Sequence, residues 1–164
     1  MTNDTNIDEV VAAWDAYVET IEDWQGLVAG ITPKSTPCGP IYDIIPNPPE
    51  MSARNNEGFA ICDMREVKAA GPHYHTNGEI EIYIVISGTG TAYVAGEPQE
   101  LKPGVAIVTL PETAHFTIPG EDLVLAVINT PPFNPHNVVD ITESDPLVGF
   151  DKEQFESLKI KAVR

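Results

Sequence analysis

The chain has 164 residues, with 25 acidic against 9 basic side chains and a formal net charge of −16. Such a surface repels phosphate backbones and anionic lipid headgroups, so we expect neither nucleic-acid nor membrane binding. The first ten residues, MTNDTNIDEV, lack the basic and apolar regions of a secretory signal, and no stretch approaches the ~20 apolar residues of a membrane span. Cys38 and Cys62 form no CxxC pair. We therefore expect reduced thiols and a cytoplasmic protein.

Apolar side chains near the N-terminus recur at three- and four-residue steps, which predicts an amphipathic helix within residues 1–30. Its face consists of Ile7, Val10, Val11, Trp14, Tyr17, Val18, Ile21 and Trp24. Residues 31–57 are rich in proline. This composition predicts a segment that wraps the domain, with one short strand at 41–45.

Residues 58–130 have the pattern of an all-β core. Short strands are predicted at 59–67, 79–86, 91–95, 105–110, 115–118 and 123–129, separated by turn sequences such as Asn77-Gly78 and Pro103-Gly104. Closely spaced short strands favour a sandwich or small barrel. Residues 131–164 are predicted to form a loop and a short helix that begins after Asp151, with Gln154 completing a capping box. We expect residues 1–164 to form a single domain.

The segment GPHYHTNGEIEIYIVISGTG contains side chains that could bind a ligand or take part in catalysis. His73 and His75 are two positions apart, so their rings point to the same side of an extended chain. Glu79, Glu81 and Tyr83 share this parity. The opposite face carries Ile80, Ile82, Ile84 and Ile86. This arrangement suits a polar face that lines a ligand cavity and isoleucines that pack under a helix or a second subunit.

His115, on a later strand, adds a third imidazole. Imidazoles combined with a carboxylate suit Mn, Fe, Ni or Zn, and we expect one such divalent ion as the cofactor. Three nitrogens and one oxygen leave positions free for water or substrate, which is typical of a catalytic site.

Two motifs resemble those of the cupin superfamily. The HxH pair, with six residues between Glu81 and Gly88, resembles the first motif. Gly104, followed after five residues by LPETAH, resembles the second. The resemblance covers residues 58–130. It implies a cupin jelly-roll barrel, here with an N-terminal amphipathic helix and a short C-terminal helix. It also implies a metal ion held by His73, His75, Glu81 and His115.

The first motif departs from the family in its spacing. Five residues separate His75 from Glu81, where the family has three or four, and a three-residue gap selects Glu79 instead. The strand sequence after Glu81 favours Glu81 as the ligand. Glu79 is then a reserve ligand or a base beside the metal. In the second motif Leu110 replaces a proline and Glu112 a glycine, both at turn and support positions.

The cupin fold hosts many chemistries, so the reaction stays open. A divalent ion that chelates neighbouring oxygens of a small polar metabolite acidifies the adjacent C–H. With a carboxylate as base, this favours isomerisation of a sugar or sugar phosphate, with Glu79 and Tyr83 as candidate catalytic residues. The alternatives are an iron-dependent dioxygenase, a manganese-dependent decarboxylase, and a non-catalytic cupin that binds a metal or small molecule.

Other polar residues are predicted to have ordinary roles. Arg65 and Lys68 are interpreted as surface charges, although they lie close enough in sequence to the histidine pair to neutralise an anionic substrate. His136 is interpreted as a surface-loop residue and Cys62 as a buried thiol, while Cys38 receives no role. Small cupins are commonly dimeric, and the isoleucine face with the tryptophan-bearing helix exceeds what one barrel needs to bury. We therefore expect a homodimer.

Overall fold

The computed structural model describes residues 23–45 and 58–161. The strands in this part of the chain are Lys34–Thr36 (β1), Gly39–Ile45 (β2), Gly58–Asp63 (β3), His73–His75 (β4), Ile80–Ser87 (β5), Gly90–Val94 (β6), Glu97–Leu101 (β7), Ala106–Thr109 (β8), His115–Pro119 (β9), Val124–Thr130 (β10) and Val138–Asp140 (β11). The helices are Trp24–Leu27 (α1) and Lys152–Lys161 (α2), with a 3-10 turn at Pro135–Asn137 (η1).

The strands form two antiparallel sheets. The six-stranded sheet has the order β1-β2-β3-β10-β5-β8, and the five-stranded sheet has the order β11-β4-β9-β6-β7. Their inner faces share one apolar cluster that takes Val85 and Leu125 from the first sheet and Ala92 and Leu101 from the second. The all-β jelly-roll prediction is confirmed, although the two sheets do not close into one continuous barrel.

The interior changes character along β5. Glu81 and Val85 are buried and Tyr83 is partly buried, so the inward face passes from a carboxylate through a phenol to an aliphatic side chain. Val85 belongs to the apolar cluster and Tyr83 packs against it. The interior therefore has a polar region beside an apolar one, and the polar region contains the histidines.

Part of the outer face of each sheet is covered by a helix. Trp24 of α1 and Val28 pack with Ile84 and Ile86, which confirms for these two isoleucines that the aliphatic face lies under a helix. On the other sheet, Phe155 of α2 is buried against other aromatic side chains. These helices bury apolar side chains on the outer faces of the sheets that the strands alone would leave exposed.

Several predicted elements agree with the structure and others differ. The strand predicted at 59–67 ends at Asp63, because the chain turns there and the Val67 amide donates to the Met64 carbonyl oxygen. The predicted strands do not include β1, β4, β7 or β11. α2 begins as predicted, with the Asp151 carboxylate accepting from the Gln154 amide at 3.1 Å. Apart from its last residue, Trp24, the apolar face predicted for the N-terminal helix lies outside the described residues.

No helix in the described ranges, 23–45 and 58–161, is both long and apolar enough to span a membrane.

Candidate metal centre

Four polar side chains converge inside the sandwich. His73 and His75 come from β4, His115 from β9 and Glu81 from β5, and their ligand atoms all lie within 4.8 Å of one another. His73 is directly opposite His115 in the β4–β9 pair. The three histidines therefore belong to the five-stranded sheet and Glu81 to the six-stranded sheet.

Hydrogen bonds to main-chain carbonyls orient two of the rings. Nδ1 of His73 lies 2.9 Å from the Gly71 carbonyl oxygen, and Nδ1 of His115 lies 3.1 Å from that of Thr113. A carbonyl oxygen only accepts, so each Nδ1 carries a proton, and in the neutral ring Nε2 is left with a lone pair. His115 Nε2 faces Glu81 Oε2 at 3.0 Å. Two acceptors at this distance repel each other unless they share a proton or a metal cation.

His75 has the most enclosed ring of the cluster. The residue is 1% exposed, with Nδ1 3.1 Å from Glu79 Oε1 and Nε2 3.5 Å from Glu81 Oε2. Neither contact has hydrogen-bond angles, so among the described residues both ring nitrogens lack a hydrogen-bond partner. Buried polar atoms are rarely left in this state. A cation between His75 Nε2 and Glu81 would satisfy both groups, so the donor set fits a transition metal.

The charges of the cluster favour an anionic Glu81. Burial alone would raise the pKa of Glu81, but His115 and His75 hold it well below its ordinary value. Burial opposes a charge on His75, yet the carboxylates of Glu79 and Glu81 raise its pKa to about 9. Burial and the neighbouring His115 lower the pKa of His73 to about 4. The centre therefore contains a negatively charged carboxylate, which is the state that binds a cation.

Glu79 lies beside the cluster and is not a member of it. The residue is completely buried, and its Oε1 accepts from Asn129 Nδ2 at 3.2 Å while its Oε2 accepts from Asn137 Nδ2 at 3.2 Å. The same Asn129 nitrogen lies 3.3 Å from Glu81 Oε1. The motif spacing alone did not decide whether Glu79 or Glu81 joins the histidines. In the structure Glu81 converges with the three histidines, whereas Glu79 lies beside the ring of His75.

Tyr83 and Thr109 face the same interior. The Tyr83 ring lies 6.1 Å from that of His115, and burial together with the Glu81 carboxylate raises the pKa of Tyr83 well above its ordinary value. Thr109 is opposite Glu81 in the β5–β8 register and 1% exposed. Its Oγ1 has no hydrogen-bond partner among the described residues. Both hydroxyl groups therefore retain a proton for donation.

One aromatic side chain stands beside His75 from the loop that follows β10. Phe133 is 40% exposed, and its ring lies at a steep angle to the His75 ring with 6.1 Å between centroids. Phe133, Thr109, Asn129 and Asn137 also surround the site, and none of them is predicted from the sequence. Their local patterns carry no indication of a site, because only the tertiary fold brings them to the histidines.

The basic residues close to the histidine pair in sequence do not join the cluster of histidines and Glu81 in the structure. Arg65 makes a bidentate pair with Asp63, and its guanidinium lies 5.1 Å from the centre of the Trp24 ring, on the outer face. Lys68 and His136 are exposed. Arg65 is therefore occupied by structural contacts.

Cys62 is a buried thiol and Cys38 a partly buried one. Cys62 Sγ donates to the Cys38 carbonyl oxygen at 3.3 Å. Burial raises the pKa of Cys38 to about 11 and raises that of Cys62 further. Both side chains therefore stay protonated at neutral pH, which suits a packing role.

Comparison with known proteins agrees with this fold and with the motif resemblance. Residues 63–129, which contain all four converging side chains, match the family model of the cupin domain. The segment that holds the site is therefore similar to a cupin domain. Comparison of the whole chain with curated proteins gives no match.

Solved structures of similar fold include proteins from three bacterial sources. A protein from Planctomyces limnophilus has a TM-score of 0.58 and 24% identity over 68% of this chain and 90% of its own. Pac13 from Streptomyces, a nucleoside dehydratase solved with uridine, has a TM-score of 0.57 and 13% identity over 73% and 91%. KdgF from Halomonas sp. has a TM-score of 0.51 and 20% identity over 60% and 83%. At these identities the likeness is one of fold.

Proposed function

We propose that this protein binds one divalent transition metal ion and acts there on a small polar metabolite. The ligands are the Nε2 atoms of His73, His75 and His115 and the carboxylate of Glu81. The observation that carries the proposal is the 3.0 Å approach of His115 Nε2 to Glu81 Oε2 while His115 Nδ1 is bonded to a carbonyl oxygen. A bound ion would supply Lewis acidity toward substrate oxygens.

The reaction that we propose is isomerisation of a sugar or related hydroxy-carbonyl compound. Such a reaction passes the proton of the carbon beside the carbonyl to a solvent water and develops negative charge on a substrate oxygen. Hydrogen-bond donors already aimed at that oxygen stabilise the charge. Tyr83 keeps its proton on Oη, and Thr109 has an uncommitted Oγ1 beside Glu81. We assign these two hydroxyls to hydrogen-bond the substrate oxygens. The apolar cluster that contains Val85 borders the site on one side.

The surroundings favour an uncharged sugar over a sugar phosphate. Arg65 is held by Asp63, and the formal net charge of −16 repels a phosphate dianion. A neutral ligand bearing several hydroxyl groups experiences no such repulsion. Pac13, which has the same fold, was solved with uridine, a nucleoside that contains a sugar. This supports the choice of ligand class at the level of the fold.

The test combines metal analysis with solvent-proton exchange. Protein purified without chelator or tag is expected to contain about one transition metal ion per chain. Metal-loaded protein mixed with neutral aldoses and ketoses in D₂O is expected to introduce deuterium at the carbon beside the carbonyl, as detected by NMR. Tyr83→Phe and Thr109→Val should retain the metal and slow this exchange, whereas Glu100→Gln, an exposed control, should change neither property.

Each alternative function gives a different result in the same experiment. Iron content with ligand-dependent oxygen consumption would replace the isomerase by a dioxygenase, and release of CO₂ from a small acid would indicate a decarboxylase. Tight metal binding without turnover of any compound would leave a non-catalytic binding cupin. Protein that stays metal-free after addition of Mn, Fe, Ni and Zn would overturn the metal site itself.

We also propose that two chains associate through the outer side of β8. This strand is an edge of the six-stranded sheet, and Val108 and the following Leu110 are 53% and 58% exposed. Burial of such side chains on a second copy is favourable, and a two-fold axis makes the contact self-complementary. Sedimentation at micromolar concentration should give twice the mass of one chain, and Val108→Glu should give a single chain. A wild-type monomer would overturn the proposal.

A further inference from the structure

We infer that Glu79 is a positioning residue that couples His75 to the loop of residues 131–137. The inference rests on the proposed metal site, in which His75 is a ligand. Glu79 then does not act as the base suggested by its place in the sequence. Its task is to hold the ring of His75 with one oxygen and the loop with the other.

The two oxygens of Glu79 have different partners. Oε1 lies 3.1 Å from His75 Nδ1 and accepts from Asn129 Nδ2, while Oε2 accepts from Asn137 Nδ2 at 3.2 Å. Glu79, His75, Asn129 and Asn137 are all at least nine-tenths buried. A carboxylate with both oxygens occupied and no exposed surface is poorly placed to take a proton from a substrate. It is well placed to fix its neighbours.

Asn137 anchors the end of the loop through further contacts. Its Oδ1 accepts from Asn77 Nδ2 at 2.7 Å, and its carbonyl oxygen accepts from the Thr76 amide at 2.8 Å. Thr76 follows His75 directly, and Val138 pairs with His75 in the β11–β4 register. Phe133 of the same loop lies against the His75 ring. Ligand, carboxylate and loop thus form one connected unit.

This arrangement has a direct consequence for metal binding. An acceptor on the outer nitrogen of a ligating histidine fixes the tautomer and orientation of the ring and makes the other nitrogen a better donor. Main-chain carbonyl oxygens occupy this position for His73 and His115. For His75 the neighbouring oxygen belongs to a side chain: Glu79 Oε1 lies 3.1 Å from Nδ1 and would accept its proton in a hydrogen bond once an ion on Nε2 fixes the ring. We therefore expect His75 to be the ligand whose binding depends most on a single side chain.

The test measures zinc affinity of the full-length protein by competition with a chromophoric chelator. Glu79→Gln should bind zinc about 10–100-fold more weakly than the wild type, which is the usual effect of removing such a partner. Asn137→Ala should weaken zinc several-fold and speed hydrogen exchange of the Thr76 amide. Glu100→Gln, the same chemical change at an exposed position, should match the wild type.

A second measurement does not depend on whether the variants fold. In zinc-loaded wild-type protein, nitrogen-15 NMR of the histidine rings should show the His75 proton on Nδ1 and the metal on Nε2. Zinc on Nδ1 of His75, or a folded Glu79→Gln that binds zinc within twofold of the wild type, would overturn the inference and leave the metal site standing. Failure of the wild type to bind any metal would overturn both.

Discussion

Substitution of Gly88 by alanine tests how the turn after β5 supports the strand that carries Glu81 and Tyr83. Gly88 has φ +74°, and a Cβ there would lie 2.2 Å from the carbonyl carbon and oxygen of Asp122 and 2.4 Å from the Glu121 oxygen. These are main-chain atoms, and the Thr89 amide is bonded to that Glu121 oxygen at 2.9 Å. The surroundings therefore cannot yield by rotation of a side chain.

The expected loss has two parts. A left-handed alanine costs about 1–2 kcal/mol, and a forced main-chain shift in packed surroundings costs about 1–3 kcal/mol more. Gly88→Ala should therefore lower the free energy of unfolding by about 2–5 kcal/mol. Gly104 is a matched control: it has φ +84°, and no atom of the described chain lies within 4 Å of its added Cβ. Gly104→Ala should lower the free energy of unfolding only by the cost of a left-handed alanine, about 1–2 kcal/mol.

Urea unfolding followed by circular dichroism measures both variants. With a slope of about 2 kcal/mol per molar urea, the midpoint should fall by about 0.5–1 M for Gly104→Ala and by about 1–2.5 M for Gly88→Ala. Equal midpoints for the two variants would refute the reasoning, because they would show that the close approach of Asp122 to Gly88 adds nothing to the loss of stability.

Three further predictions concern the metal, the charges and the C-terminal helix. His75→Ala should abolish metal retention measured by elemental analysis and leave the far-ultraviolet spectrum unchanged; loss of the fold would make the site structural. The pKa of Asp63 is lowered chiefly by its hydrogen bond with Arg65, so this pair stabilises the folded state above the ordinary Asp pKa and loses its effect as pH falls. Arg65→Met should therefore lower stability at pH 7 by up to about 1 kcal/mol, with a deficit that shrinks below pH ~4 in acid titrations; a deficit independent of pH would contradict this. Phe155→Ala should cost about 3 kcal/mol and release α2, with faster amide exchange in that helix; slow exchange there would show that other contacts hold it.

The convergence of His73, His75, Glu81 and His115 could be predicted because the two motifs resemble those of the cupin superfamily, which implies this set of residues. Residues two apart on a strand share a face, which by itself places only His73 and His75 together. Glu81 lies on β5 of the other sheet, and His115 lies on β9. The choice between Glu79 and Glu81 could not be made in this way. Asn77 and Gly78 have φ values of +57° and +75°, which interrupt the extended chain between His75 and the carboxylates.

The partners of Glu79 were beyond prediction for a different reason. Asn129 and Asn137 are 50 and 58 residues away in sequence and reach Glu79 only through strand pairing and the loop after β10. An asparagine in a strand or loop has no local feature that marks such a partner. Long-range polar contacts of this kind become visible only in the assembled sandwich.

β7 was missed because its residues, EPQEL, lack alternation. Four of its five residues are exposed, so no apolar face marks the strand. The strand forms because Ala95 and Gly96, both with positive φ, turn the chain tightly back along β6. Pairing and turn geometry determine its structure, and its own side-chain pattern does not.

The division of the four candidate ligands between the two sheets has a mechanical consequence. Three come from the five-stranded sheet and the fourth, Glu81, from the six-stranded sheet. Apolar contacts between sheets weaken gradually as the sheets move apart, whereas coordination bonds fail over a fraction of an ångström. An ion at this position would act as a tie between the two halves of the sandwich. Opening by force or by protease would then require a discrete rupture in place of a gradual loosening.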